Sequence, residues 1–194
     1  MVDDRGAQIG LTHEIVERIN AGDTGAWNDL WSRVHDGLLF AVRCRLGPAL
    51  RRHLESEDIL QSVALEALRD LPGFVPRGAD GLRHFLHVLV TRKIRDRVDT
   101  FGAAKRQGTE RLGEREIAAA GSTAGYRDPD LYAPLERAID ALPEEMREVI
   151  LLHRIDGLPS KEVADRMGRS DVAVRKLYSR ALRLLRPSLP ESSS

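Results

Sequence analysis

The sequence predicts an all-α protein built as two small helical domains joined by a flexible linker. Three observations predict it. Apolar residues recur at three- and four-residue steps through most of the chain, and no segment alternates apolar and polar residues with a convincing period of two. Between the two periodic regions lies "QGTERLGEREIAAAGSTAGYRDPD" (107–130), rich in Gly, Ala, Ser and charge and without a sustained apolar stripe. The 194 residues suffice for one medium or two small domains. A hydrophobic content of 42% allows buried cores, and the 31% of charged residues suits small units with large surfaces.

Taken in order, Thr12 is placed to cap a first helix carrying Ile15, Val16 and Ile19, which ends at the turn "NAGD". A second helix follows, with Trp27, Leu30, Trp31, Val34, Leu38 and Val42 on one stripe, until "RLGP" (45–48) terminates or kinks it. Ser56 stands at an N-cap position before "EDILQSVALEALRDL", whose Ile59, Leu60, Val63, Ala67 and Leu68 share a face. "PGFVPRGADG" (72–81) is a loop by its glycines and prolines. Asp80 caps the next helix, which carries Leu82, Phe85, Leu86, Leu89, Val90, Ile94 and Val98.

After the linker, Leu135, Ala138, Ile139 and Leu142 form a stripe that Pro143 stops. Glu144 and Glu145 open the following helix, where acids favour the positive end of the dipole. It carries Met146, Val149, Ile150 and His153 and ends near Gly157. Ser160 caps a helix with Val163, Ala164 and Met167 that closes at Gly168. The last helix starts around Ser170–Asp171, turns Val174, Leu177, Tyr178, Ala181 and Leu185 inward, and runs to Pro187. A two-turn helix, a glycine turn and a longer basic helix have the proportions of a helix-turn-helix.

Lys plus Arg and Asp plus Glu number 30 each, so bulk electrostatics does not hold this chain on nucleic acid. The distribution is informative instead. Arg92, Lys93, Arg95 and Arg97 fall within two helical turns. Arg166, Arg169, Arg175, Lys176, Arg180, Arg183 and Arg186 crowd the C-terminus, with Asp171 the one acid among them. A single cysteine, Cys44, forbids an internal disulfide and points to a reducing compartment. With no apolar run of membrane-spanning length and an acidic "MVDDRGAQIG" start, the expectation is a cytoplasmic protein without membrane insertion.

On the last helix, inward Val174, Leu177, Tyr178 and Ala181 leave Ala173, Arg175, Lys176, Ser179 and Arg180 toward solvent. Ser160 and Lys161 could brace a phosphate, small Ala173 would let the backbone approach bases, and Arg175 and Lys176 could donate to guanine edges or phosphates. The segment alone leaves a solvated bundle helix as the other reading. His84 and His87 stand three residues apart, but no acid or cysteine joins them at ligand spacing. Asp58 and Glu66 could be a carboxylate pair, yet nothing supplies a pocket. No phosphate loop, nucleophile elbow or triad motif is present, so no enzyme activity, small-molecule substrate, metal or other cofactor is expected. Trp27 and Trp31 read as core packing. Phe74, in the Gly/Pro loop, either tucks under that loop or faces an unpaired base.

In sequence order, a Trp-containing helix, "EDILQSVALEALRDLPGF", a loop, "LRHFLHVLVTRKIRDRVD", a linker and "LPEEMREVILLHRIDGLPSKEVADRMGRSDVAVRKLYSRALRLLR" resemble a bacterial RNA polymerase sigma factor of the small extracytoplasmic-function (ECF) type. The resemblance spans roughly residues 12–106 and 132–187 and is strongest in the final block. It implies a region 2 module (1–106), a linker (107–131), a region 4 helix-turn-helix module (132–190) and a disordered tail (191–194).

It also implies partners and surfaces. Asp58 and Gln61 match the family's "D-x-x-Q" helix, which docks on the clamp helices of core RNA polymerase, with Ile59, Ser62 and Leu65 as neighbours in that interface. The loop with Phe74 and Arg77 corresponds to the segment that captures a flipped minus-ten base, and Arg92, Lys93, Arg95 and Arg97 lie on the face that holds the melted strand. Ser160, Lys161, Ser170, Asp171, Ala173, Arg175, Lys176, Ser179 and Arg180 correspond to the minus-thirty-five reader of promoter DNA, whose apolar face also meets the polymerase flap. Members are often held inactive by an anti-sigma factor. Three positions depart from the pattern: Ser62 where an acid is usual, Phe85 for a frequent tryptophan, and Arg92 where asparagine is common. A helix-turn-helix regulator with an N-terminal sensor or dimerisation domain is the alternative. It leaves "DILQSVALEAL" and the second basic cluster unexplained. A helical interaction protein that never touches DNA leaves the C-terminal charge unexplained as well.

Overall fold

A computed structural model describes residues 14–74, 81–106 and 127–188, and every regular element among them is helical. Helix α1 covers 14–20, α2 Thr24–Leu50 and α3 Ser56–Asp70, which continues into a 3-10 turn, Leu71–Gly73. Helix α4 is Gly81–Arg106, α5 Pro129–Asp140 and α6 Glu144–Ile150, prolonged by a π-type turn over Leu151–Ile155. Helix α7 is Ser160–Met167 and α8 Asp171–Leu185, ending in a 3-10 turn, Arg186–Ser188. Among the described residues no helix is long and apolar enough to cross a membrane. The chain divides into two compact units, Met1–Val42 with Glu55–Arg111, and Arg43–Leu54 with Leu112–Ser194. The expected caps Thr12 and Asp80, and nearly all of the expected linker, lie outside the described residues.

In the first unit, α1 turns into α2 at Gly22, whose φ of 86° needs a residue without a Cβ. Asp23 then caps α2: its Oδ1 accepts the Ala26 amide at 3.1 Å, and Arg18 donates to Oδ2 at 2.9 and 2.7 Å. The Arg18 hydrogen bond first, and the Ala26 amide second, hold the Asp23 carboxyl below the usual carboxylate range. Trp27 and Trp31, both half-buried, stack at 5.5 Å between ring centroids, and Trp31 meets His35 edge-on. Helix α3 packs on α4. Ile59, Leu60, Val63 and Ala67 of α3 and Leu82, Leu86, Leu89 and Val90 of α4 are buried, as their spacing predicts.

Two details of α3 differ from the sequence reading. Ser56 is not the cap. Glu55 holds the N-cap position without a side-chain bond, and Ser56 is the first helical residue, buried at 6% exposure. Leu68 does not join the buried face but is 44% exposed, because the inward arc runs through 56, 59, 60, 63, 66 and 67 and leaves 68 beyond its edge.

The second unit is pinned by charge as well as by Ala133, Ile139, Val149, Ile150, Val163, Val174, Ala181 and Leu185. Glu136 of α5 is 6% exposed and accepts two bonds from Arg43, at 2.7 and 2.9 Å, while Arg51 Nη1 lies 2.7 Å from the same carboxylate and also pairs with Asp140. The predicted kink at "RLGP" is present: Gly47 takes φ 64° and ψ 172° inside α2, just before Pro48. A Cβ on Gly47 would run into the guanidinium of Arg147, which donates to the Cys44 carbonyl at 2.5 Å. Cys44 itself is fully buried, and burial pushes its thiol far up, so it is an unreactive core residue.

Helix α7 also starts differently from expectation. Pro159, already extended at φ −64° and ψ 149°, takes the N-cap position, and Ser160 directs its hydroxyl to His153 Nε2 at 3.1 Å instead of to a helix amide. The α7–α8 turn follows the sequence: Gly168 closes α7 in the left-handed region at φ 61°, and Ser170 caps α8 by accepting the Ala173 amide at 3.2 Å.

Three outcomes follow for stability. Glu136→Ala removes the carboxylate that Arg43 and Arg51 share, leaving Arg51 its Asp140 pairing, and should cost about 3–5 kcal/mol in urea unfolding. Gly47→Ala combines a glycine-only backbone region with the Arg147 clash, and should cost about 1–3 kcal/mol by the same measurement. Because the folded Asp23 carboxyl is depressed, its contribution is complete above the unfolded value of about 3.9 and is lost as pH falls through the folded value. The gap in melting temperature between the wild type and Asp23→Asn should therefore be widest near neutral pH and shrink in acid, as read by circular dichroism.

Candidate functional site

Three solvent-facing helix surfaces carry the chemistry, two on the first unit and one on the second. On α3, the buried arc leaves Asp58, Gln61, Leu65 and Leu68 outward at steps of three, four and three residues, which is one helical stripe. Leu65 is 72% exposed and Leu68 44%. Two leucines beside an acid and an amide form a small amphipathic exposed face. Ser62 is half-buried and its hydroxyl donates to the Asp58 carbonyl at 2.8 Å, so it serves the helix backbone. Ile59 is 1% exposed. It points inward because one residue past Asp58 is about 100° of helix rotation away, so it supports the face without forming part of its surface.

On α4, Arg95 and Arg97 are exposed, and the side chains of Arg92 and Lys93 are 48% and 28% exposed. Arg92 and Lys93 are not free cations. Both pair with Glu66 of α3, which is 8% exposed. Asp58 and Glu66 therefore form no carboxylate pair: one faces solvent and the other is buried and paired with cations, Arg92, Lys93 and Arg69. Phe74 is half-buried with its ring 4.8 Å from that of Phe85, which is packing against the start of α4. Arg77 lies outside the described residues.

On the second unit, α7 packs on α8, and His153 joins them by stacking on Tyr178 at 4.3 Å while bonding Ser160. Val174, Ala181 and Leu185 are buried and Leu177 and Tyr178 half-buried, so α8 is oriented as its spacing predicts. Its outer side holds an open depression lined by Val172, Arg175, Lys176, Ser179, Arg180 and Arg183. Arg175 is 66% exposed and pairs with Asp171, one turn back on the same helix. Ser179 donates to the Arg175 carbonyl at 2.8 Å. Lys161 and Ser170 are exposed, Ser160 and Ala173 half-buried. The surface thus offers several cations and one small residue near a capped helix start, the donor set that phosphates and base edges accept.

Sequence reasoning missed four members of these surfaces. Arg183 was legible, three positions on from Arg180, whereas Leu68 reads as part of the buried face and needed the width of the arc that α4 covers. Val172, 58% exposed at the start of α8, needed the orientation of the helix. Glu66 needed the packing of α3 on α4.

The family model described as Sigma-70, region 4 matches residues 132–185, which contain α7 and α8. The chain is 28% identical over 175 residues to the ECF RNA polymerase sigma factor SigD of Mycobacterium tuberculosis, covering 90% of this chain and 82% of SigD. It is 32% identical over 201 residues to the ECF RNA polymerase sigma factor ShbA of Streptomyces griseus, covering 96% of this chain and 97% of ShbA. Among solved structures, CnrH in complex with the cytosolic domain of CnrY is similar at 22% identity and a TM-score of 0.46, over 89% of this chain and 93% of CnrH. Identity at the level of ShbA, sustained across nearly the whole of both chains, establishes that this chain belongs to the ECF family of RNA polymerase sigma factors.

Proposed function

We propose that this sigma factor docks on the clamp helices of core RNA polymerase through the exposed α3 stripe of Asp58, Gln61, Leu65 and Leu68, and reads promoter DNA with two cationic helix faces. The α8 face, with Ala173, Arg175, Lys176, Ser179 and Arg180, takes the major groove of the minus-thirty-five element, with Ser160, Lys161 and Ser170 bracing its backbone. The α4 face, with Arg92, Lys93, Arg95 and Arg97, takes the melted minus-ten strand, and Phe74 and Arg77 border the base that leaves the stack. On this reading residues 1–106 and 132–190 act as two modules, and the apolar side of the second meets the polymerase flap. An anti-sigma factor is the further partner that family membership suggests. The protein acts in the cytoplasm as an initiation factor, with no catalytic step of its own.

The observation that carries this reading is the division of α8. Its inner side is buried while Arg175, Lys176, Arg180 and Arg183 stand outward around one depression. A formal net charge of zero fits the same account, because few phosphates are neutralised by the chain alone and docking on polymerase supplies the rest of the affinity.

Reconstituted transcription tests it. Core polymerase with this chain should give a promoter-dependent run-off transcript, while the chain alone shows no sub-micromolar sequence-specific binding at about physiological salt. Asp58→Ala with Gln61→Ala should weaken core binding in a pull-down. Lys176→Ala with Arg180→Ala should leave core binding intact, abolish the transcript, and lower the salt slope of promoter binding by about one for each phosphate no longer neutralised. Unchanged core affinity of the α3 variant would overturn the docking face.

A further inference from the structure

The cations of α4 sit over an acid that the proposed function does not use. Glu66 is 8% exposed; Arg92 pairs with its Oε1, and Lys93 Nζ lies 2.6 Å from its Oε2. Arg69 reaches Oε1 at 3.3 Å, but its side chain is 71% exposed and it also holds Asp70 at 2.8 Å. Asp70 lies 3.8 Å from Arg92 as well. With Arg69 and Asp70 cancelling, Arg92 and Lys93 share one buried negative charge, so the pair presents a net charge of one to solvent. Each oxygen of the Glu66 carboxylate faces a cation, which is the arrangement a nucleic-acid phosphate would seek. Both side chains nevertheless remain partly exposed, Arg92 at 48% and Lys93 at 28%. A phosphate bound there lies within about one Debye length of the carboxylate, whose burial limits its screening.

We propose that Glu66 is an internal counter-ion for Arg92 and Lys93 that limits how much nucleic-acid charge the α4 face neutralises. The inference rests on the reading that α4 meets the melted strand. Its physical content is a competition. Glu66 cannot withdraw without leaving a buried carboxylate only the longer contact with exposed Arg69, so a phosphate joins the cluster and does not displace the acid. Each phosphate bound at this face therefore releases less condensed counter-charge than two unpaired cations would. A weaker grip on single strands keeps the free protein off nonspecific nucleic acid and leaves strand capture to the polymerase-bound state.

The test uses the full chain and a fluorescent oligothymidylate in an anisotropy titration over a salt series, with melting curves as the fold check. Glu66→Gln should bind several-fold tighter at low salt, with a log–log salt slope steeper by about 0.7, the single-strand value for one charge. Lys93→Gln should flatten the slope by about the same amount. Glu66→Gln with Lys93→Gln should restore the wild-type slope, a comparison that stands even if Glu66→Gln alone fails to fold. Binding by the double variant no better than by Lys93→Gln would overturn the proposal. The underlying reading fails separately: if Arg92→Gln with Lys93→Gln leaves oligothymidylate binding unchanged, α4 is not the strand face. If that pair weakens binding while Glu66→Gln does nothing, only the role of Glu66 falls.

Discussion

The packing of α3 on α4 is the interaction on which the first unit's chemistry depends. It buries Ile59, Leu60, Val63 and Ala67 from one helix and Leu82, Leu86, Leu89 and Val90 from the other. Burying that arc fixes the rotation of each helix about its own axis, and rotation decides which residues face out. Asp58, Gln61, Leu65 and Leu68 are outward because 59, 60, 63 and 67 are inward. The same packing brings Glu66 beneath Arg92 and Lys93, residues 26 and 27 positions further along the chain. Hydrophobic burial thereby sets the geometry of both the exposed α3 stripe and a charge cluster without contributing an atom to either.

The two basic faces manage their charge differently. On α8 the single paired acid, Asp171, lies on the same helix one turn back, and its partner Arg175 remains 66% exposed. An exposed i, i+4 pair of this kind is worth only a few tenths of a kcal/mol and exchanges readily for a phosphate. On α4 the acid is buried and comes from a neighbouring helix, so its pairing with Arg92 and Lys93 is part of the fold. On the proposed reading, α8 as a groove reader gains from cations that exchange partners freely, and α4 as a strand-holding face gains from cations already partly neutralised.

The sequence made most of the fold legible because three- and four-residue periodicity reports the buried side of a helix directly. The inward positions of α4 and α8, the kink at Gly47 and the Ser170 cap all follow from local residues. The misreadings share one cause. Ser56 and Ser160 look like caps, but the cap position falls one residue earlier, on Glu55 and Pro159, and Ser160 finds His153 seven residues away. Leu68 looks buried because it adjoins the stripe, yet the width of the buried arc is set by the neighbouring helix. The burial of Glu66 and Glu136 has no local signal, since nothing within a few residues of either reveals its partners on other segments. Sequence reading recovers what is decided within a turn or two of helix, and it loses what is decided by another element.

Those two buried acids invite a common physical question: why keep a carboxylate where an apolar residue would pack? A buried ion pair is seldom more stabilising than a hydrophobic replacement, because desolvating the charges offsets their attraction. What it supplies is a unique arrangement, since an apolar side chain tolerates many neighbours and a buried carboxylate tolerates only cations. Glu136 takes a two-point bond from Arg43 and a further pairing from Arg51, which leaves that segment of the second unit one way to sit. Glu66 does the same for Arg92 and Lys93 at a surface proposed to meet a phosphate backbone. A guanidinium and an ammonium on consecutive residues would otherwise repel and sweep a wide volume. Held by one carboxylate, they present their remaining donors from fixed positions, so the feature that lowers the charge of the α4 face also orders it.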